Sequence, residues 1–157
     1  MNDKTIQGLK NSWRNSNSST IGFAKSVPTN KWKSKALENR FRSFAWEFAC
    51  LARTRMCYLK ALRTGELIFS HQEDIPDKSV LENEGKSEIV NILEKTAREV
   101  LKEIECLENE EKMGLIIWLL QHERVHHGKL MLYNSLANFK LPKTFVKTWG
   151  ESNFSKT

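Results

Sequence analysis

Residues 111–139 read EKMGLIIWLLQHERVHHGKLMLYNSLANF, with no proline and with glycine only at positions 114 and 128. The stretch is one long helix, from about Glu110 to Asn138. On a 3.6-residue period Leu115, Leu119, His122, His126, Lys129 and Tyr133 fall along one stripe. Two histidines therefore continue a line of leucines that faces other protein. Four residues apart, their imidazoles stand one above the other, the separation at which two ligands share one ion. The competing reading is a pair of core histidines satisfied by hydrogen bonds. His127 lies about 100° further round the helix and falls to the surface or to a supporting position. Gly128 costs such a helix about 1 kcal/mol relative to alanine, which fits a place where another backbone or a ligand comes close.

Three more helices can be read outward from this one. The first spans Asp3 to Ser26, with Ile6, Leu9, Trp13, Ile21 and Ala24 as its apolar stripe. Its middle, Asn15-Ser16-Asn17-Ser18-Ser19-Thr20, is poor in helix formers, so packing must hold it. Pro28 closes it, and a connection from Val27 to Arg40 follows with Trp32 as an anchor. The second helix runs from about Arg42 to Thr64 and ends at Gly65, a residue suited to a left-handed cap. Glu66 to Gly85 contains Pro76 and several acids and is expected as a surface loop. The third helix covers Lys86 to Leu107, with Ile89, Leu93, Val100 and Ile104 facing inward. The tail from Phe139 to Thr157 shows no helical period. No segment alternates as a strand and no internal repeat is visible. Four amphipathic helices must bury their stripes against one another, so the expectation is all-α: a four-helix bundle occupying residues 1–157 as a single domain.

Composition narrows the function classes. The 157 residues carry 25 Lys and Arg against 19 Asp and Glu, a net charge of +6. The positive charge is spread along the chain, without a Lys/Arg block interleaved with aromatics, which argues against nucleic acid as a partner. Such an excess serves solubility or attracts a small anionic substrate. The three cysteines, Cys50, Cys57 and Cys106, are odd in number and lack a CxxC spacing. That excludes a disulfide framework and points to a reducing, cytoplasmic location. No window approaches 18 apolar residues, so no membrane span is expected.

His122-Glu123-Arg124-Val125-His126 also matches HExxH, the zinc-protease signature in which the glutamate is the general base. No histidine follows His127, and the only later glutamate is Glu151 in the tail. The strands that would bind a peptide are missing as well. Protease chemistry is not the reading drawn from this match.

The chain resembles the DinB/YfiT-like metalloenzyme family over nearly its whole length. The resemblance rests on His122-Glu123-Arg124-Val125-His126-His127-Gly128-Lys129, similar to the family's H-x-x-x-H-x-G-Q stretch on the last bundle helix. It rests also on Phe44 to Arg53 in the second helix and on Leu141-Pro142 followed by Trp149. It implies a metal site of three ligands, two of them His122 and His126. The third, four residues after Trp46, is a histidine in the family and Cys50 here, 72 residues before His122. Lys129 stands where the family has glutamine. Cys50 has two readings. As a thiolate it completes a Cys-His-His site for a divalent metal, zinc or nickel, with an open position for water or substrate. As a thiol it is a small buried hydrophobe. The resemblance implies a homodimer and a metal-dependent transferase of low-molecular-weight thiols, or a hydrolase, acting on a small molecule. The alternative is a metal-free, non-enzymatic bundle acting as a binding or stress-associated module. Glu47, Arg53 and Tyr133 are expected to orient a substrate, Cys57 and Cys106 to pack, and His71 to be solvated.

Overall fold

The computed structural model of the chain describes residues 3–35 and 41–150. Six α-helices pack together: α1 (Asp3–Ser26), α2 (Phe44–Thr64), α3 (Lys78–Asn83), α4 (Lys86–Glu105), α5 (Glu110–Ala137) and α6 (Lys143–Trp149). The four long helices are those anticipated from apolar periodicity. α2 lies against α4 and α5, and α1 against the same two, so the long helices close into a bundle. No strand forms among the described residues beyond two isolated bridges. No helix is long and apolar enough to cross a membrane. Glu151 falls outside the described residues.

Local chemistry sets the ends of the two helices that matter most. Ser43 caps α2, its hydroxyl accepting the Trp46 N–H at 3.0 Å. Gly65 closes that helix at φ 83°, the left-handed conformation anticipated for it. Asn109 caps α5 by accepting the Lys112 N–H at 2.9 Å, and Asn138 ends it at φ 49°.

α3 and α6 were not anticipated: their segments were read as surface loop and irregular tail. Both are shorter than two turns of clear period, and each is held by one buried side chain, Leu81 in α3 and Phe145 in α6. α6 lies on α1, where a Cβ added at Gly22 would run into the Thr144 hydroxyl. Glycine is what allows that approach.

The core has two parts. One gathers Phe23, Phe44, Phe48, Tyr133 and Phe145 around α1, α2, α5 and α6. Trp32 stacks on Phe48 at 5.3 Å between ring centres, the anchoring role read from sequence. The other part packs Trp13, Leu59, Leu62, Val100, Ile104, Ile116 and Leu119 at the opposite end. Between them, Ser16, Ser19 and Thr20 of α1 are buried. The polar middle of that helix thus faces a buried polar network, which explains how a run of weak helix formers stays helical.

Candidate metal centre

Cys50 on α2 and His122 and His126 on α5 meet where those two helices cross. One donor atom from each lies within 4.8 Å of the others, and no other group of three or more such residues is found among the described ones. His122 Nε2 and His126 Nε2 are 3.2 Å apart, and Cys50 Sγ is 3.9 Å from His122 Nε2. In a tetrahedral zinc site with bonds of about 2.05 Å to nitrogen and about 2.3 Å to sulfur, neighbouring ligands stand about 3.3 Å (N–N) and about 3.6 Å (N–S) apart. The spacing of these side chains fits such an ion.

A second layer holds the ligands. Glu47, one turn before Cys50 and almost wholly buried, places Oε2 at 2.6 Å from His126 Nδ1. The contact is short but bent away from the N–H axis, so it acts more as an ion pair than as an aligned hydrogen bond. A carboxylate at that distance puts the proton on Nδ1 and leaves the Nε2 lone pair aimed at Cys50 and His122. Tyr133 donates its hydroxyl hydrogen to Glu47 Oε1 at 2.9 Å and accepts the Arg42 backbone N–H at 3.1 Å. Lys129 Nζ, half-exposed at the rim, is 3.9 Å from Glu47 Oε2.

These contacts shift the titrations together. Burial would raise the Cys50 thiol, but His122 and His126 outweigh it and bring the thiol down to about 6. Burial would lower His126, but the Cys50 sulfur and then Glu47 outweigh it and hold the imidazole at about 8. Burial likewise opposes ionisation of Glu47, and His126 more than compensates, keeping that carboxyl below its ordinary value. Without an ion, a thiolate beside an imidazolium is the favoured charge state at neutral pH.

Directly behind this centre lies a second network. Glu123 is fully buried and receives Arg55 in a two-pronged ion pair, Nε to Oε1 at 2.7 Å and Nη2 to Oε2 at 2.9 Å. Arg55 Nη1 also donates to Asn17 Oδ1 and to the Leu93 carbonyl, and its guanidinium lies over the Trp13 ring. Burial would raise the Glu123 carboxyl, and Arg55 holds it below its ordinary value instead. Thr20 Oγ1 donates to Glu123 Oε2 at 2.5 Å and accepts from His127 Nε2 at 2.7 Å. His127 is buried against Phe145 and Trp149, and burial pushes it down to about 4, so it is neutral.

The sequence-derived candidates divide accordingly. Cys50, His122 and His126 come together. Glu47 and Tyr133 reach the same place, bound to each other. Arg53 does not: it is tied to the Phe69 and Ser70 carbonyls and to Asp77. His127, expected at the surface or in support of the ligands, is in the core, because α5 is covered by α1 and α6 on that side. Cys57 packs in the interior as expected, whereas Cys106, expected to pack, is exposed at the end of α4. His71 is solvated beside Asp77. Arg55 was missed, and its position among the apolar residues of α2 was the signal. Nothing lies near a Cβ built at Gly128, so no group of this chain exploits that glycine. The HExxH match fails on geometry: Glu123 is locked to Arg55, on a different face of α5 from the two histidines.

No family model matches the chain, and no curated protein is similar enough in sequence to count as a relative. What stands is an all-helical bundle with a buried Cys-His-His triad that could hold a metal ion.

Proposed function

We propose that the chain is a DinB-like metalloprotein in which Cys50, His122 and His126 hold a divalent metal, and that it acts on a small molecule as a metal-dependent thiol transferase or hydrolase. The observation that carries this reading is the convergence of three donor atoms within 4.8 Å across two helices. A sulfur in the set favours zinc over harder ions, with nickel next. Bound there, the ion would supply Lewis acidity and keep the sulfur of a low-molecular-weight thiol ionised at neutral pH.

The chain's own residues do the rest. Glu47 fixes the ring orientation and tautomer of His126, and Tyr133 fixes Glu47. Because that hydroxyl is already donated, Tyr133 serves the ligand shell and not the substrate. Trp46, one turn before Cys50, carries Arg42 and Lys78 at 5.4 Å from its ring, and Lys129 stands at the rim. This cationic edge suits a substrate bearing carboxylates, as low-molecular-weight thiols do.

One observation favours a second reading. Cys50, His126 and Glu47 form a thiol–imidazole–carboxylate chain that would sustain a thiolate with no ion present. A metal-free bundle would then bind its partner molecule through that cysteine. Metal analysis of protein purified without a histidine tag separates the two. One equivalent of zinc or nickel in the wild type, lost in His126→Ala, supports the metal reading. No metal after reconstitution with either ion overturns it and leaves the metal-free bundle.

A further inference from the structure

α5 presents apolar residues on its outer face as well as its inner one. Ile117, Trp118, Val125, Leu132 and Leu136 are all exposed there, Trp118 at 63% and Val125 at 59%. A helix that is apolar all round belongs in an interior, yet no element of this chain covers that face.

The order of these residues identifies the cover. At 100° per residue, Gly114, Trp118, Val125, Leu132 and Leu136 fall within about 20° of one line, which runs about 33 Å along the helix. Their spacings are 4, 7, 7 and 4 residues, so the line reads the same in both directions about Val125. A second α5, antiparallel and related by a two-fold axis at Val125, therefore meets matching groups along its whole length. Val125 packs on itself. Trp118 lies against the partner's Leu132. Leu136 lies over the partner's Gly114, where nothing of this chain stands within 4 Å of a Cβ position. Gln121 faces the region of the partner's Gly128, whose Cβ position is equally open. The charges agree: Glu110 in the first turn of one helix comes opposite the partner's Lys140, just past the end of the other. The helix dipoles run in opposite directions.

We propose that this stripe is the self-association surface of the protein, an isologous two-fold pairing of α5 with α5 centred on Val125. A second copy is the only partner for which one stripe must complement itself. The pairing runs beside the edge of α5 that carries His122, so the partner's helix forms one wall of the approach to the triad. The inference holds whether or not the triad binds metal.

Sedimentation of the full chain should give twice the 18.3 kDa chain mass. Val125→Glu sets two like charges face to face on the axis and should weaken the dimer by about a hundredfold or more. Position 125 is exposed in the single chain, so helical circular dichroism should be unchanged, and metal content measured on the same samples reports the triad separately. Register is tested by cross-linking in a Cys106→Ser background. Val125→Cys should oxidise to a disulfide dimer alone, whereas Trp118→Cys should do so only when mixed with Leu132→Cys. A monomeric wild type overturns the proposal, as does a dimer that survives Val125→Glu. Failure of Val125→Cys to cross-link, or self-cross-linking of Trp118→Cys, overturns the antiparallel register.

Discussion

Replacing Glu123 by glutamine tests whether α5 is held by a buried charge pair or carries a catalytic base. The side chain keeps its shape, but the carboxylate that faces Arg55 at 2.7 and 2.9 Å becomes a neutral amide. Both partners are 0% exposed, so the guanidinium is left as a cation in the interior with no counter-charge and no water. The amide NH2 also meets an arginine donor where an acceptor stood. Breaking one side of such a pair costs about 3–5 kcal/mol. For a chain of this length that is a fall of about 6–20 °C in melting temperature. Urea unfolding followed by far-UV circular dichroism measures the loss directly. The double variant Arg55→Met/Glu123→Leu removes both charges and should recover part of it, because apolar packing replaces the pair. Recovery stays incomplete, since Thr20, Asn17 and the Leu93 carbonyl each lose a partner worth about 1 kcal/mol. A Glu123→Gln protein within about 0.5 kcal/mol of the wild type, the range of an ordinary surface substitution, would refute this account. It would also revive the glutamate of HExxH as a residue kept for chemistry.

The metal reading makes three further predictions. Glu47→Gln should weaken metal affinity by about 10- to 100-fold, the usual effect of removing the group behind a ligating histidine, as read by competition with a chromophoric chelator; unchanged affinity would remove Glu47 from that role. Cobalt added to the wild type should give a near-ultraviolet thiolate-to-metal band that is absent in Cys50→Ser; its absence from both would leave Cys50 a packing residue. Metal affinity should climb as pH rises from about 6 to about 8, because the His126 proton competes with the ion until pH passes the value near 8 at which the ring titrates in the free protein. Isothermal titration in buffers of different ionisation enthalpy should show about one proton released from that pair at neutral pH, and an affinity flat across this range would contradict the assigned charge state.

Periodicity carried the long helices because each spans several turns and buries one face. It could not carry α3 and α6, where a single residue in each, Leu81 and Phe145, does the anchoring. The polar run from Asn15 to Thr20 looked like a defect until Arg55 and Glu123 supplied its partners. That pairing joins residues 68 apart in the chain and leaves no local trace. The ligand triad was legible in part: the four-residue spacing of His122 and His126 set their common face, while Cys50 entered only through resemblance to a pattern that has histidine there. His127 was misjudged because a helical wheel gives direction without saying which neighbours stand on each side. α1 and α6 occupy the side that was taken as open.

Residues 122 and 126 of α5 alternate with 123 and 127, each pair serving a different cluster. The Glu123–Arg55 bond and the Thr20–His127 contact set the rotation of the rod about its long axis, and with it the aim of the neighbouring pair. The donor cluster is thereby aligned by groups that take no part in it. Exchanging a donor, as when sulfur stands at position 50 in place of nitrogen, then alters what is gripped without disturbing how the rod sits.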